Sequence, residues 1–173
     1  MLDPFFDFSF LNEDNKLSKF KYGYRKTNPD LFFITDYASA LLKFLEQRAT
    51  RNYFWYSNEE QIIILKNDMF GYERKTFEKV EITDILPDPH EYKKSGDAAK
   101  DKILAIVSEH YVIISLYLTS REEANKPQTD YLDDVLNHLR EDPKYMNKTI
   151  IAGGDINSFH DRFPKGYAFY PEK

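Results

Sequence analysis

Residues 148–158 read Lys-Thr-Ile-Ile-Ala-Gly-Gly-Asp-Ile-Asn-Ser and combine an apolar run with two glycines and two polar side chains. The β-branched run over residues 149–152 predicts a buried strand, and the glycines that close it predict a sharp turn. Asp155 and Asn157 lie two residues apart, so an extended backbone points both side chains to one side. A carboxylate and an amide at the carboxyl end of a buried strand suit a hard cation or a phosphate. An Asp/Asn/Gly turn without a ligand explains the same residues equally well.

The composition is that of a folded domain with an excess of acidic residues. The 173 residues are 42% hydrophobic and 16% aromatic, so we expect a single domain over residues 1–173 with a sizeable core. The net charge of −5 argues against a strong overall attraction to nucleic acid, although a local basic patch stays open. Because the chain has no cysteine, disulfides and thiolate metal sites are excluded.

The N-terminal sequence and the hydropathy bear on the compartment. The first residues, from Met1 to Asp7, are apolar but acidic, unlike a secretory signal or an arginine-rich transit peptide. No apolar run is long enough to span a bilayer. We therefore expect a soluble, intracellular protein.

Hydrophobic periodicity predicts strands that alternate with two amphipathic helices. Strands are expected at residues 6–11, 31–34, 53–56, 61–65, 102–107, 111–118 and 149–152. One helix follows Asp36, and the other is expected to use Asn125 as a cap, with Pro127 in its first turn. Residues 66–68 are predicted to form a turn and residues 70–82 an exposed segment. This order indicates a mixed α/β sandwich.

Two local features leave alternatives open. Residues 16–26 interleave bases, among them Lys19 and Lys21, with aromatic side chains. Such a stretch can bind single-stranded nucleic acid, but it can equally be a solvated face that covers the core. Asp36 follows a buried strand and precedes a helix, so it is either a helix cap or a cation ligand at the end of the strand.

The order of these elements resembles the endonuclease/exonuclease/phosphatase superfamily, which includes pancreatic deoxyribonuclease, AP endonucleases, inositol-phosphate phosphatases and nocturnin-like deadenylases. The most specific part is Gly-Gly-Asp-Ile-Asn-Ser at residues 153–158, similar to the family's Gly-Asp-Phe-Asn-Ser signature. The resemblance extends from about Phe5 to Ser158 and is nearest the nocturnin-like branch. It implies an α/β fold of two packed sheets flanked by helices. It also implies magnesium-dependent hydrolysis of phosphodiesters or phosphomonoesters.

The resemblance implies roles for individual residues. Asn12 and Asp36 match positions at the metal, where the family has a glutamate in place of Asp36. Asp155 matches the aspartate that orients or activates the attacking water, and Asn157 matches the asparagine that stabilises the scissile phosphate. Substrate contacts are expected from Arg121, Lys19 and Lys21.

The sequence also departs from the family pattern. Tyr117 stands where the family has a phosphate-contacting histidine, and a phenol, which ordinarily titrates near ~10, is a poor proton shuttle at neutral pH. The family has a Ser-Asp-His motif near its C-terminus, whereas His160 and Asp161 directly follow the signature here. We therefore expect the C-terminal part of the fold to be lacking. Without that part, we expect the contribution of general acid/base catalysis to the rate, typically ~10²–10⁴-fold, to be missing.

These departures lead to competing functional hypotheses. The first is a degenerate, catalytically impaired member that serves as a structural or interaction subunit of a larger assembly, where a protein partner covers an exposed sheet edge. The second is a Mg²⁺-dependent nuclease or phosphatase whose incomplete site is completed by a partner. Mg²⁺ is the expected cofactor only if the site functions, and the net charge does not favour nucleic acid as a partner. A third keeps only a soluble α/β domain with a Gly-Gly-Asp turn.

Overall fold

The computed structural model describes residues 5–7, 29–37, 39–48, 53–70, 73, 75–87 and 99–157, which form two four-stranded sheets. The first sheet holds β1 (Phe5–Asp7), β2 (Leu31–Thr35), β3 (Tyr53–Ser57) and β4 (Gln61–Lys66). The second holds β5 (Glu78–Val80), β6 (Ile103–Val107), β7 (Tyr111–Tyr117) and β8 (Thr149–Asp155). The α-helices of these residues are α1 (Ser39–Arg48), α2 (Asn67–Phe70), α3 (Ile82–Ile85) and α4 (Glu122–Glu141). A 3-10 turn, Ala99–Lys102, precedes β6.

The first sheet is apolar on both faces because it is covered on both. Its strand order is β1-β2-β4-β3, with β2 and β4 antiparallel at its centre. Phe33 and Ile63 face the second sheet, whereas Phe32 and Ile62 lie against α1. This two-sided burial explains why β4 reads as an unbroken apolar run and does not alternate with polar residues.

The second sheet, in the order β5-β6-β7-β8, is covered on its outer face by α4. Tyr131, Val135 and Leu139 recur every fourth residue along α4 and are fully buried against β6 and β7. Ile106 and Ile113 point the other way, into the layer between the sheets. The predicted α/β sandwich of two sheets flanked by helices is therefore confirmed.

Three sequence predictions about local structure are wrong. Residues 66–68 are the end of β4 and the start of the short helix α2, not a turn. Residues 70–82 are not a uniformly exposed segment, because Phe70, Glu73 and Phe77 are buried and β5 forms at residues 78–80. Helix α4 begins at Glu122, which places Asn125 and Pro127 inside the helix, not at its cap and in its first turn.

The buried strand predicted at residues 149–152 forms, but it is longer than predicted and is not buried: in the described sheet β8 is an edge strand in which residues 149 and 152 are exposed and residues 150 and 151 half-buried. β8 continues through Gly153 and Gly154 to Asp155 in parallel register with β7, so the glycines lie within a strand and do not form a turn. The N–H of Leu118 donates to the carbonyl of Asp155 at 2.9 Å and extends the pairing beyond β7.

Strand direction determines which ends meet. β7 and β8 are parallel with Tyr117 opposite Asp155, and β1 and β2 are parallel with Asp7 opposite Thr35. The two sheets pack with β2 against β7 and β8. Within the described ranges, no helix is long and apolar enough to cross a membrane. The single-domain assignment over residues 1–173 stays a prediction.

Candidate active site

Asp155 lies at the carboxyl end of β8, beside Tyr117 of β7. The close approach of β8 to β7 at this point depends on Gly154, whose φ of +135° lies in a region that residues with a side chain rarely adopt. A Cβ at position 154 would stand 2.1 Å from the Leu116 carbonyl oxygen of the neighbouring strand. Glycine is therefore required here for close strand approach, and this approach brings Asp155 next to Tyr117.

Asp155 and Asn157 form a compact hydrogen-bonded turn. The Asn157 N–H donates to Asp155 Oδ1 at 3.2 Å, and the Asn157 side-chain amide donates to Asp155 Oδ2 at 2.9 Å. The same amide also donates to the Leu118 carbonyl at 3.0 Å. The backbone at Asn157 is left-handed, with φ +47°, and not extended. The two side chains thus meet as the sequence predicted, but through a turn that fixes the orientation of the carboxylate.

Two buried amides of α4 brace the chain on both sides of this turn. Asn125 donates from its side chain to the Thr119 carbonyl at 2.7 Å and to the Ile156 carbonyl at 3.0 Å. Gln128 accepts a hydrogen bond from the Thr119 N–H at 2.9 Å. Asn125 is therefore a brace between two connections and not the helix cap that the sequence suggested. Buried amides that satisfy backbone groups in this way hold the connections in one conformation.

Asp36 directly follows β2 and is half-buried, with a left-handed φ of +48°. Its N–H donates to the Glu60 carbonyl at 2.8 Å, which fixes it to the turn between β3 and β4. The adjacent Tyr37 hydroxyl donates to the Asn58 carbonyl in that turn at 2.6 Å. Burial raises the pKa of Tyr37 above its ordinary value. Helix α1 begins at Ser39, three residues after Asp36, so the cap alternative for Asp36 is wrong.

Backbone strain is concentrated at these strand ends. Among the described residues, the non-glycine positions with positive φ are Asp36 and Asn157, and the glycine with positive φ is Gly154. For the two non-glycine residues such conformations typically cost ~1–3 kcal/mol each and cluster at functional sites, whereas glycine adopts a positive φ without this cost. Here they flank the two carboxylates that the sequence singled out.

A lysine and a glutamate join the two strand ends across the sheets. Lys102, the last residue of the 3-10 turn, places Nζ 2.8 Å from Glu60 Oε2 and 5.5 Å from the centroid of the Tyr117 ring. Glu60 in turn accepts the Asp36 N–H through its main-chain carbonyl. This continuous set of contacts shows that Asp36 at the end of β2 and Tyr117 at the end of β7 lie on the same edge of the sandwich.

Two polar side chains lie between the sheets, close to this edge. Gln61 is fully buried opposite Thr35, and Ser115 is fully buried two residues before Tyr117. The described residues supply no hydrogen-bond partner for the Gln61 amide or the Ser115 hydroxyl. Unsatisfied buried polar groups are rare in folded proteins, so they mark this layer as different from the rest of the core.

The structure places Asp36, Tyr117, Asp155 and Asn157 of the predicted site residues on one edge of the sandwich, with Tyr117 directly opposite Asp155. Arg121 is exposed in the connection just before α4, with its N–H donating to Thr119 Oγ1 at 3.3 Å. Asn12, Lys19 and Lys21 lie outside the described residues, so their assignments stay predictions. The sequence did not single out Lys102 and Glu60, because their pairing spans 42 residues and leaves no local pattern.

Comparison with known proteins identifies the fold. No family model and no curated protein sequence matches the chain. Solved structures do match: D. rerio TDP2 humanized by 14 mutations has a TM-score of 0.58 at 15% identity, covering 90% of this chain and 62% of that one. D. rerio TDP2 complexed with a single-strand DNA product has a TM-score of 0.56 at 16% identity, covering 87% and 57%. Caenorhabditis elegans TDP2 with selenomethionine has a TM-score of 0.55 at 18% identity, covering 93% and 49%.

TDP2 belongs to the endonuclease/exonuclease/phosphatase superfamily, so the chain has the fold of that superfamily, as the sequence predicted. At these identities the likeness shows the fold alone. The chain spans between 49% and 62% of the length of these three structures. They give no specific support for the nocturnin-like branch, and that assignment stays a prediction.

Proposed function

We propose that this chain is a Mg²⁺-dependent phosphodiesterase that acts on single-stranded nucleic acid at the edge where β2, β7 and β8 end. The observation that carries this proposal is the concentration of strained backbone around the two carboxylates Asp36 and Asp155. Strain of this kind is retained only where the surrounding structure enforces it, and it is a feature of catalytic and ligand-binding sites. The fold likeness to TDP2 supports the reaction class.

The substrate class has two supports. One of the similar structures is D. rerio TDP2 in complex with a single-strand DNA product. The segment at residues 16–26 alternates bases with aromatic side chains, the combination that binds single strands by stacking and by charge.

The donor chemistry fits Mg²⁺. Asp36, Asp155 and the Asn157 side-chain carbonyl offer hard oxygen ligands, the type that Mg²⁺ prefers. Within the described residues, no group of three or more His, Asp or Glu side chains forms a metal cluster. One or two carboxylates with waters and a substrate phosphate are a common mode of Mg²⁺ binding. When bound, the ion supplies charge neutralisation for the phosphate.

The residues of the chain have distinct tasks in this proposal. Asp155 accepts the proton that the attacking water loses as its oxygen bonds to phosphorus, and the ester P–O bond breaks in line, with the leaving oxygen protonated by solvent. Asn157 holds the Asp155 carboxylate in one orientation through its two hydrogen bonds. The Tyr117 hydroxyl donates to a phosphate oxygen, and does not relay a proton.

A second candidate function is the catalytically impaired subunit of a larger assembly. The Asn157 amide favours this candidate, because its hydrogens are directed to the Leu118 carbonyl and to Asp155, away from a substrate phosphate. An asparagine used in this way stabilises its own turn, and contributes less to the transition state.

Hydrolysis assays separate the two candidates. A labelled single-stranded oligonucleotide and a generic phosphodiester are incubated with Mg²⁺ or Mn²⁺ and with wild type or Asp155→Ala. The matched control is Asp134→Ala, which removes an exposed carboxylate on α4. The phosphodiesterase proposal predicts turnover that Asp155→Ala abolishes and Asp134→Ala leaves intact. Equal background rates in all three proteins would contradict it and favour the impaired subunit.

A further inference from the structure

Lys102 brings a positive charge to the edge where the two carboxylates lie. Its side chain is only 12% exposed, and its ammonium group stands above the Tyr117 ring with Nζ 5.5 Å from the centroid. Contact with an aromatic face holds a cation in place, and more strongly when the group is shielded from water. The sequence resemblance predicts that Tyr117 stands where the superfamily has a phosphate-contacting histidine, and the lysine lies beside this tyrosine.

Glu60 fixes Lys102 through one hydrogen bond and does not use all three hydrogens of the ammonium group. The Lys102 ammonium donates to Glu60 Oε2 at 2.8 Å, and an ammonium group has three hydrogens to donate. Glu60 is itself held in place, because its N–H donates to Asn58 Oδ1 at 3.0 Å and its carbonyl accepts the Asp36 N–H at 2.8 Å. The ammonium is thus oriented by a rigid turn, while retaining capacity to bind an anion.

A cavity of about 360 Å³ opens on the Glu60 side of Lys102, large enough for a small ligand. None of Asp36, Tyr117, Asp155 and Asn157 lines it, so Lys102 lies between this cavity and Tyr117 of the candidate active site. The charged lining of the cavity consists of Lys79, Lys100 and Lys102 with Glu59, Glu60, Glu81 and Asp101. Because acids outnumber bases, the cavity as a whole does not attract polyanions. Binding of a phosphate here depends on a direct contact to one lysine and not on the overall field.

We propose that Lys102 binds a non-bridging oxygen of the substrate phosphate and that Glu60 is the residue that positions it. Lysine is a common phosphate ligand that acts as a compact point charge on a flexible stem. In this arrangement Lys102 supplies the cation that Tyr117 does not provide at the position of the family histidine. The inference rests on the proposed function, since it deepens the description of the same site.

The test uses inorganic phosphate as the probe and measures its dissociation constant by calorimetry with Mg²⁺ present. Lys102→Met is expected to weaken phosphate binding by about tenfold to a hundredfold, the usual loss for a hydrogen bond to a charged group. Lys102→Arg retains the charge and is expected to keep most of the binding. The matched control is Lys66→Met: this lysine is 18% exposed and lies near Asp30 and Asp68 at the other end of β4.

Several further measurements keep the inference falsifiable. Thermal melts of all variants establish that they fold, and Glu60→Gln tests the positioning role without removing the lysine. Glu60→Gln is expected to weaken phosphate binding less than Lys102→Met does. In turnover assays, Lys102→Met is expected to raise KM and to leave kcat nearly unchanged, since the contact forms in both the ground and transition states. Phosphate binding by Lys102→Met equal to that of Lys66→Met would overturn the inference.

The outcomes separate this inference from the proposed function. Turnover that depends on Asp155 but not on Lys102 would leave the phosphodiesterase standing and remove Lys102 from it. Phosphate binding that depends on Lys102 in a protein without turnover would support the phosphate contact and contradict the phosphodiesterase.

Discussion

The two sides of the candidate site are built in different ways. On the β8 side, Asp155 is held by Asn157, two residues away, and braced by α4 through Asn125. On the β2 side, Asp36 is held by the turn at Glu60, and Glu60 is joined to the other sheet by Lys102, 42 residues further along the chain. The β8 side is therefore stabilised within the second sheet and its helix, whereas on the β2 side the turn that holds Asp36 is also joined to the other sheet by an ion pair.

This difference has a functional consequence. A carboxylate fixed by neighbours in sequence keeps its orientation whenever the second sheet is folded. The turn that holds Asp36 is linked to the second sheet through Glu60 and Lys102, so its position also depends on how the two sheets pack. We therefore expect substitutions of the residues that brace the end of β8 to act mainly on stability, and substitutions of the residues that fix the turn beside Asp36 to act mainly on ligand binding, whereas removal of either carboxylate weakens cation binding.

The largest effect is expected from Gly154→Ala. The added Cβ meets the Leu116 carbonyl oxygen at 2.1 Å and also opposes a φ of +135°, so β7 and β8 must separate. We expect a loss of about 3–5 kcal/mol in the free energy of unfolding, measured by urea denaturation. Gly153→Ala is the matched control, since Gly153 has no positive φ. Equal losses of stability in the two variants would show that the close approach at Gly154 does not cause the destabilisation.

A smaller loss is expected from Asn125→Ala. This change leaves the Thr119 and Ile156 carbonyls without their side-chain donor, and unpaired groups of this kind cost about 1–3 kcal/mol. Asn137→Ala, on the exposed face of the same helix, is expected to change stability by less than about 0.5 kcal/mol. If the two variants have the same melting temperature, the bracing role of Asn125 is refuted.

On the β2 side, Tyr37→Phe is expected to affect binding more than stability. It removes the hydrogen bond to the Asn58 carbonyl, worth about 1 kcal/mol, and loosens the turn that fixes Asp36. Tyr56→Phe removes a comparable hydrogen bond, to the Phe77 carbonyl, that does not involve the turn at Glu60. Both variants should lose similar stability, but only Tyr37→Phe should weaken Mn²⁺ binding. Weaker Mn²⁺ binding in both would indicate a general effect of loosened packing.

The smallest effect, and the opposite sign, is expected from Gln61→Met. The Gln61 amide is fully buried without a partner among the described residues, so an apolar side chain of similar shape should raise stability by about 1 kcal/mol. Gln128→Met replaces a buried amide that does accept a hydrogen bond from Thr119, and it should lower stability. A destabilised Gln61→Met protein would show that the amide has a partner in solution.

The contrast between the two sides also explains what the sequence could and could not predict. The buried strands and the apolar stripe of α4 follow from short-range periodicity, and the Asp155–Asn157 pair follows from a local motif. The Lys102–Glu60 ion pair forms only when the two sheets pack, so no residue spacing in the sequence predicts it. The glycines were misread because Gly153 and Gly154 look like a turn, whereas Gly154 is needed for the close approach of Leu116 on the neighbouring strand.

The start of α4 was misplaced for a related reason. Asn125 and Pro127 are typical of a helix N-terminus, but the Asn125 side chain is used here to donate to the Thr119 carbonyl, ahead of the helix, and to the Ile156 carbonyl after β8. Local residue type therefore predicted the existence of the helix and not the task of its buried amides.

The proposal that both sheets contribute to one cation site is tested most directly by Mn²⁺ binding, measured by electron paramagnetic resonance. The proteins compared are the wild type, Asp36→Ala, Asp155→Ala and the exposed control Asp134→Ala. We predict that each of the first two substitutions weakens Mn²⁺ binding by about tenfold or more, whereas Asp134→Ala leaves it unchanged. Unchanged binding in Asp36→Ala or in Asp155→Ala would contradict a shared site, because one of the two strand ends would then hold no ligand.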